Sequence, residues 1–227
     1  MKKRKRARNE GWTGRVRSVD VGERLRLVPY WEQSLAASDR INVIIDPGPS
    51  FGSGDHPSTL MALELLERAV KKLSGRIPSP SLVDAGTGTG VLSIAGKALG
   101  CGFTVGFDID AAAVYAARRN LGLNGMARDG RAPHHSVDLL VGGANSIKGS
   151  FDIVAANLAA PTLIRLSRSL SELVGTFLIL SGIAKVMEDA VVTAYQAAHL
   201  NLVAQEEKDG WSAALFRRGE VTHKAWP

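Results

Sequence analysis

The chain has 227 residues, of which 45% are hydrophobic and 22% are charged, and its formal net charge is +6. This length and composition predict one α/β domain with a hydrophobic core of its own. A single cysteine, Cys101, excludes an intramolecular disulfide and a multi-cysteine metal site, and it is typical of a reducing, cytoplasmic setting. No apolar run approaches the roughly 18 residues of a membrane span, so we expect neither a transmembrane segment nor a secretory signal peptide.

The excess positive charge lies at the start of the chain. Residues 1–8 contain six lysines and arginines, which equals the whole net charge of +6. Such a run of like charges predicts a basic, disordered tail over residues 1–11. Two interpretations stay open for it: a solvated chain end, or a contact with RNA phosphates, for example those of the ribosome.

Short strands are predicted between this tail and the first long helix. Residues 15–30 alternate between apolar and polar, and Gly22 is placed to turn a hairpin between two strands. The apolar run Ile41–Ile45 predicts a third strand. A loop rich in glycine and proline follows at residues 46–57, and leucines along one face predict a helix over residues 58–73.

From there onward, strand patterns alternate with helix patterns. Strands are predicted at 82–85, 103–108, 151–156, 176–181, 202–208 and 211–217, and helices at 91–99, 111–121, 161–173 and 185–199. The dipeptide Asp209-Gly210 predicts a hairpin between the last two strands. An edge strand is predicted near residues 134–138. His134 and His135 are adjacent there, but the sequence offers no third ligand in register with them, so we predict no metal site. This order predicts a Rossmann-like fold with a mostly parallel sheet and a C-terminal antiparallel hairpin.

The most informative stretch runs from Leu82 to Ala95. An apolar strand pattern ends in Asp84, and glycines at positions 86, 88 and 90 precede an apolar helix pattern. Such a loop lets a ligand approach the backbone, and the free N–H groups at the start of the helix face that ligand. The dinucleotide fingerprint would place its third glycine at position 91, where this chain has valine. An ordinary strand–turn–helix without a ligand is the alternative.

A second strand pattern ends in Asp108, 22 positions after Gly86. A carboxylate about 20 residues beyond the glycine loop suits the two hydroxyls of a ribose. The two features together predict an adenosine-type site without a pyrophosphate cradle. S-adenosylmethionine is the ligand that fits this description.

Two other stretches carry candidate site residues. Asn157 follows a strand pattern, at the edge of a parallel sheet where ligands bind, and its amide can donate and accept; a turn or helix cap is the alternative. In the loop before the first long helix, Phe51 is placed to cover an aromatic base or a sulfonium. Ser58 or Thr59 is placed to cap that helix or to bind a carboxylate. His56 is a single loop histidine, for which a structural role is commoner than catalysis.

The loop Asp46–Thr59 resembles that of the bacterial ribosomal-protein lysine methyltransferases, which modify the stalk-base protein of the large ribosomal subunit. Residues 82–90, 106–110, 156–158 and 180–183 are similar to the same family in the same order. The resemblance spans about residues 25–217. It implies the seven-stranded class I methyltransferase fold and S-adenosylmethionine as the cofactor.

The predicted site combines this resemblance with the patterns above. The resemblance implies cofactor contacts from Thr59, Gly86, Asp108 and Asn157. The full set of predicted cofactor-binding residues is Phe51, Thr59, Asp84, Gly86, Gly88, Asp108, Ile109, Asn157 and Leu158. Asn157 is also the predicted catalytic residue, because its carbonyl oxygen can accept an N–H of the amine that is methylated. No metal ligand is predicted.

The predicted activity is methylation of a protein lysine or terminal amine, with a ribosomal protein as the candidate substrate. A small-molecule or RNA methyltransferase is one alternative, and a non-catalytic binding or assembly factor with the same fold is another. The Asn-Pro-Pro-Tyr motif of methyltransferases that act on glutamine or on bases is absent after the strand at 151–156, which argues against that group.

Three regions are predicted: a basic tail at 1–11, an N-terminal extension with short strands at 12–45, and a methyltransferase domain at 46–220. The family that the chain resembles has an N-terminal substrate-recognition domain. Only about 25–40 residues precede the matching part here, which is too few for that domain, so we expect it to be absent. The loop before the first long helix also departs from the family at Ser53 and Asp55.

Overall fold

A computed structural model describes residues 17–36, 39–47, 56–127 and 136–219. The predicted basic tail, Phe51 with most of its loop, and the His134–His135 pair lie outside these residues. In the part of the chain that is described, no helix is long and apolar enough to cross a membrane, and no three side chains of the metal-ligating types converge.

A small three-stranded sheet begins the described chain. Its strands are β1 (Val19–Val21), β2 (Leu25–Pro29) and β3 (Ile41–Ile45). β1 and β2 form an antiparallel hairpin at Gly22, whose φ of +56° is a backbone conformation that glycine adopts without strain. β3 pairs with β2 in parallel, and Leu25, Leu27 and Val43 belong to the hydrophobic core. The predicted hairpin and third strand are confirmed.

A seven-stranded sheet forms the centre of the molecule. Its strands are β4 (Leu82–Ala85), β5 (Thr104–Asp108), β6 (Asp138–Val141), β7 (Phe151–Asn157), β8 (Val174–Ala184), β9 (Leu200–Lys208) and β10 (Trp211–Arg218). Across the sheet their order is β6-β5-β4-β7-β8-β10-β9. β10 is antiparallel to both of its neighbours, and the other pairs are parallel. The predicted Rossmann-like fold with a C-terminal hairpin is confirmed.

Helices cover both faces of this sheet. They are α1 (Pro57–Leu73), α2 (Val91–Leu99), α3 (Ala111–Leu123), α4 (Ala160–Arg165), α5 (Ser167–Leu173) and α6 (Glu188–Ala197). Short 3-10 helices lie at Tyr30–Leu35, Ala144–Ser146 and Lys185–Met187. α1, α2 and the small sheet share one hydrophobic cluster, and α4, α5 and α6 share a second. Coverage on both sides explains why the parallel strands are almost continuously apolar.

Three predicted elements differ in the structure. The predicted helix 161–173 is two helices, because Leu166 between them has φ −90° and ψ 1°, outside the α-helical region. Of the predicted edge strand 134–138, only Asp138 lies in β6. The predicted helix 185–199 begins with a 3-10 turn and becomes α-helical only at Glu188.

The order of the strands locates the site. From β4 the chain passes to β5 and β6 on one side, whereas β7 and β8 lie on the other side. In open α/β sheets a crevice forms at such a reversal, beyond the carboxyl ends of the strands. The fold therefore places the last residues of β4, β5 and β7 around one crevice.

Candidate active site

An open cleft of about 610 Å³ lies at this crevice. Six of the predicted cofactor-binding residues line it: Asp84, Gly86, Gly88, Asp108, Asn157 and Leu158. The loop between β4 and α2 forms one wall, and the end of β5 with the start of α3 forms another. The end of β7 closes the third side.

The glycine loop takes a path that L-residues other than glycine rarely adopt. Gly86, Gly88 and Gly90 have φ values of 73°, 53° and 81°. The N–H groups of Gly86 and Thr87 both donate to the carbonyl of Phe107 at 2.9 Å, which attaches the loop to the end of β5. A Cβ at Gly86 would lie 2.4 Å from Cδ2 of Leu158, so glycine is also needed there for packing.

Asp84, the third residue of β4, holds this loop through hydrogen bonds. The residue is 1% exposed, and its Oδ2 accepts hydrogen bonds from Oγ1 of Thr87 (2.7 Å) and from the N–H (3.0 Å) and Oγ (2.7 Å) of Ser93. Burial raises the pKa of the Asp84 carboxyl, and the hydrogen bonds from Thr87 and Ser93 oppose that shift. Asp84 therefore shapes the loop and the start of α2, with Oδ2 already engaged.

Asp108 stands at the end of β5 with its carboxylate at the cleft. Oδ2 accepts the N–H of Gly88 at 3.1 Å, and Oδ1 accepts the N–H of Asp110 at 3.0 Å. Each carboxylate oxygen has a second acceptor position, which leaves the group able to bind a pair of hydroxyls. Asp110 caps α3, because its Oδ1 accepts the N–H of Ala112 at 2.8 Å.

Asn157 is held by the start of α1. Its Nδ2 donates to Oγ1 of the fully buried Thr59 at 3.3 Å, and Oγ of Ser181 donates to the carbonyl of Ser58 at 2.8 Å. Oδ1 of Asn157 is buried and has no hydrogen-bond partner among the described residues. A buried acceptor without a partner is uncommon, and it suits a donor from a bound molecule.

Gly182 shapes this corner, and we did not predict it as a site residue. It has φ +77°, and a Cβ there would lie 2.9 Å from Oδ1 of Asn157 and 2.8 Å from the carbonyl oxygen of Leu158. Glycine inside a strand often marks a close approach of another group, and that was the available signal.

Other predicted residues lie outside the lining of the cleft. Thr59 is behind Asn157, and Ile109 is 81% exposed between two lining residues. Phe51 lies outside the described residues. His56 is the N-cap of α1, where its Nδ1 accepts the N–H of Ser58 at 3.3 Å, and its ring contacts Trp211 edge-on at 4.7 Å. These contacts favour the structural interpretation of His56.

The cleft also has lining residues that were not predicted. They are Thr87, Thr89, Val91, Leu92, Asp110, Ala112, Ala113 and Ala159. Each is adjacent to a predicted residue in sequence or lies in the first turn of α2 or α3. Four of the eight, Val91, Leu92, Ala112 and Ala113, lie in the first turns of α2 and α3, from which no individual site residue was predicted.

Comparison with known sequences identifies close relatives. A family profile described as "Ribosomal protein L11 methyltransferase (PrmA)" matches residues 6–219. The ribosomal protein L11 methyltransferase of Citrifermentans bemidjiense is 41% identical over 218 residues, which are 93% of this chain and 68% of the relative. That of Dictyoglomus thermophilum is 34% identical over 203 residues, 88% of this chain and 62% of the relative. The chain thus spans about two thirds of these relatives' lengths.

Comparison with solved structures identifies the same fold. A ribosomal protein L11 methylase from Lactobacillus delbrueckii subsp. bulgaricus aligns with 90% of this chain and 99% of its own, with a TM-score of 0.75 and 23% identity. The magnesium protoporphyrin IX methyltransferase of Synechocystis PCC 6803, solved with bound SAH, aligns with 74% of this chain and 87% of its own. Its TM-score is 0.53 and its identity is 17%, so this likeness concerns the fold alone.

Proposed function

The chain belongs to the ribosomal protein L11 methyltransferase family, and from this premise we propose that it transfers methyl groups from S-adenosylmethionine to amines of a ribosomal protein. The observation that carries the proposal is the cleft in which the glycine loop, the Asp108 carboxylate and Asn157, whose buried Oδ1 has no partner among the described residues, converge. The relatives' names supply the substrate class, a ribosomal protein of the L11 type.

The residues of the cleft fit the cofactor. Both oxygens of Asp108 keep an acceptor position for the ribose hydroxyls, and the backbone at Gly86 and Gly88 is open to close approach. A volume of about 610 Å³ is within the range of small-molecule sites. Bound S-adenosylmethionine supplies an electrophilic methyl group on a sulfonium. That Phe51 covers the bound cofactor stays a prediction from the sequence, because Phe51 lies outside the described residues.

The chain's own part in the reaction is to hold and orient the acceptor amine. Nδ2 of Asn157 is fixed by Thr59, so Oδ1 has a defined direction in which to accept one N–H of the amine. That contact aims the nitrogen lone pair, and correct alignment of two reactants supplies a large part of the barrier reduction. Apolar neighbours such as Leu158 and Ala159 favour the neutral amine, because desolvation lowers the pKa of a lysine. The proton that the acceptor amine loses passes to water.

Transfer of labelled methyl groups tests the proposal. We expect the wild-type protein to label purified ribosomal protein L11, and the label in a whole-cell extract to be in protein. Asp108→Ala should abolish or strongly reduce labelling, because it removes the ribose contacts, each worth about 1.5–3 kcal/mol. Glu172→Ala is the control, because the contact of Glu172 among the described residues is an exposed pair with Arg168. Label in RNA or in small molecules, or no label, would contradict the proposed substrate.

A further inference from the structure

Two asparagines at the C-terminal end of α3 bind the backbone at the end of β3: Asn120 lies within the helix, and Asn124 is its C-cap residue. Asn124 accepts the N–H of Ile44 at Oδ1 (2.9 Å) and donates from Nδ2 to the carbonyl of Ile44 (2.7 Å). One turn earlier, Asn120 does the same to Asp46, accepting its N–H at 2.8 Å and donating to its carbonyl at 3.2 Å. Each side-chain amide takes the place of a neighbouring strand beside β3 and the residues that follow it.

Asn120 makes one contact that Asn124 does not make. Its Nδ2 also donates to the carbonyl of Thr89 at 2.9 Å, in a contact between two residues that are each 1% exposed. Thr89 lies in the glycine loop and lines the cofactor cleft. The other Nδ2 contact of Asn124 is with the carbonyl of Asn120 in the last turns of α3.

The hydrogen bonds at position 120 require a side-chain amide, which both accepts and donates. Oδ1 of Asn120 serves one N–H, and the two protons of Nδ2 serve two carbonyls on different segments, Asp46 and Thr89. The glycine loop also packs on α3 nearby, since a Cβ at Gly90 would lie 3.1 Å from Cβ of Ala117. A movement of the loop at Thr89 therefore acts on the side chain that holds Asp46.

We propose that Asn120 is a positioning residue that couples the occupancy of the cofactor cleft to the three-stranded sheet, through its hydrogen bonds to Thr89 and Asp46. The coupling rests on the proposed cofactor site. A cofactor that orders the glycine loop at Thr89 stabilises the Asn120 bonds, and these hold the end of β3. Asn120 touches no reacting atom.

Amide hydrogen exchange, followed by NMR in the full chain, measures this coupling directly. The N–H of Asp46 donates to Asn120 and the N–H of Ile44 donates to Asn124, so the two amides serve as reporter and control. At S-adenosylmethionine about ten times above its Kd, exchange of the Asp46 amide should slow by up to about tenfold in the wild type. The Ile44 amide should respond less.

Three variants separate coupling from a general structural role. Asn120→Ala should abolish the response at Asp46 and raise the Kd for S-adenosylmethionine by about five- to tenfold. Asn124→Ala, which removes an equivalent clamp without touching Thr89, should keep the response and change Kd less than about twofold. Asn120→Asp keeps the acceptor for the Asp46 N–H, but its carboxylate lacks both Nδ2 donors, to the carbonyls of Thr89 and of Asp46. It should protect Asp46 without cofactor and still lose the response.

The possible contradictions are distinct. Equal Kd values and equal responses in Asn120→Ala and Asn124→Ala would overturn the coupling. A response that persists in Asn120→Asp would overturn it as well, because the Thr89 contact would then be unnecessary. If the wild type binds S-adenosylmethionine but exchange of its Asp46 amide does not change, only this inference is refuted. A wild type that binds no S-adenosylmethionine would refute it together with the proposed function.

Discussion

Asp84 is a buried carboxylate that holds the glycine loop in place through hydrogen bonds. Three donors from Thr87 and Ser93 converge on its Oδ2, and the residue is 1% exposed. Burial penalises the charged form more than these donors favour it, so the pKa is raised. Asp84 therefore fixes the conformation of the glycine loop, but its ionised form lowers the free energy of unfolding.

That cost predicts a pH dependence for Asp84→Asn. The pKa of Asp84 is raised in the folded state. The folded chain therefore binds more protons than the unfolded chain once the pH exceeds the usual aspartate pKa of about 3.9. The wild type should therefore lose stability relative to Asp84→Asn as the pH rises from about 4 through the folded pKa. Urea unfolding of both proteins across this window measures the difference. Parallel stability curves would contradict the assignment.

Single residues were predictable where the signal is local. Asp84, Gly86 and Asp108 end or follow strands, and the spacing between them was sufficient to predict a site for an adenosine-type ligand. The contact between Thr59 and Asn157 joins residues 98 positions apart, and no local pattern contains it. Gly182 was not predicted as a site residue, although glycine inside a strand was a local signal, because the groups that approach it belong to the end of the neighbouring strand β7.

At the scale of elements, β8 presents Gly182 to the end of β7. Gly182→Ala should strain a backbone at φ +77° and push Oδ1 of Asn157 and the carbonyl of Leu158 away. Misplacement by about 1 Å can cost about 100-fold in rate, so kcat should fall by about that factor, with the Kd for S-adenosylmethionine changed much less.

The matched control for this change is Gly122→Ala. Gly122 lies in α3 with no atom within 4 Å of an added Cβ, and alanine there should stabilise the helix slightly. Asn157→Ala should give a loss of kcat like that of Gly182→Ala. Full activity in Gly182→Ala would mean that the position of Asn157 Oδ1 is unimportant for the reaction.

The β1–β2 hairpin is anchored on α1 by Glu67. This residue is 4% exposed, and its Oε2 accepts the N–H of Glu23 at 2.9 Å. The side chain of Glu23 also pairs with Lys71, but both partners are mostly exposed. The buried hydrogen bond, and not the visible ion pair, should therefore decide the stability of the attachment.

Glu67→Ala should lower the free energy of unfolding by about 1–2 kcal/mol, because it removes the acceptor and leaves a gap under the hairpin. Glu67→Gln should stay within about 0.5 kcal/mol of the wild type, since a carbonyl oxygen still accepts the Glu23 N–H. Lys71→Ala tests the exposed pair and should cost less than about 1 kcal/mol. Denaturant unfolding of the three variants orders them. A larger loss for Lys71→Ala than for Glu67→Ala would reverse our interpretation.

Elements were predicted best where one pattern dominates. The predicted helix 91–99 agrees with α2 at both ends, because glycines flank its apolar run at positions 90 and 100. The break between α4 and α5 was not predictable from periodicity, since leucines at 163 and 170 keep a helical spacing across Leu166. The small sheet was predicted as strands, but its parallel pairing of β2 with β3 was not.

At the scale of the whole molecule, long-range polar contacts join the small sheet to the methyltransferase fold. The bond of Asn124 to Ile44 in β3 spans 80 positions, that of Asn120 to Asp46 just after β3 spans 74, and the Glu67 bond spans 44. Alternating strand and helix patterns predict the order of elements along the chain. They contain no information about such cross-links, which depend on the folded arrangement.

The location of the excess positive charge predicts how the protein associates with its substrate. The six lysines and arginines of residues 1–8 account for the entire excess of +6, so the remaining sequence is balanced. We expect deletion of residues 1–9 to leave the melting temperature and the Kd for S-adenosylmethionine unchanged, because this stretch is almost wholly polar and distant in sequence from the cofactor loop.

The same deletion should matter only where RNA is present. With a ribosomal particle as substrate it should weaken association at low salt, and the loss should shrink as salt rises, because each phosphate contact adds to the salt dependence of binding. With free ribosomal protein L11 the full-length and shortened proteins should methylate equally at every salt concentration, since no phosphates are present. Rates measured on both substrates at low and high salt test this. Equal rates throughout would mean that the basic stretch is a solvated chain end, because screening over about 8–10 Å cannot hide a direct phosphate contact at low salt.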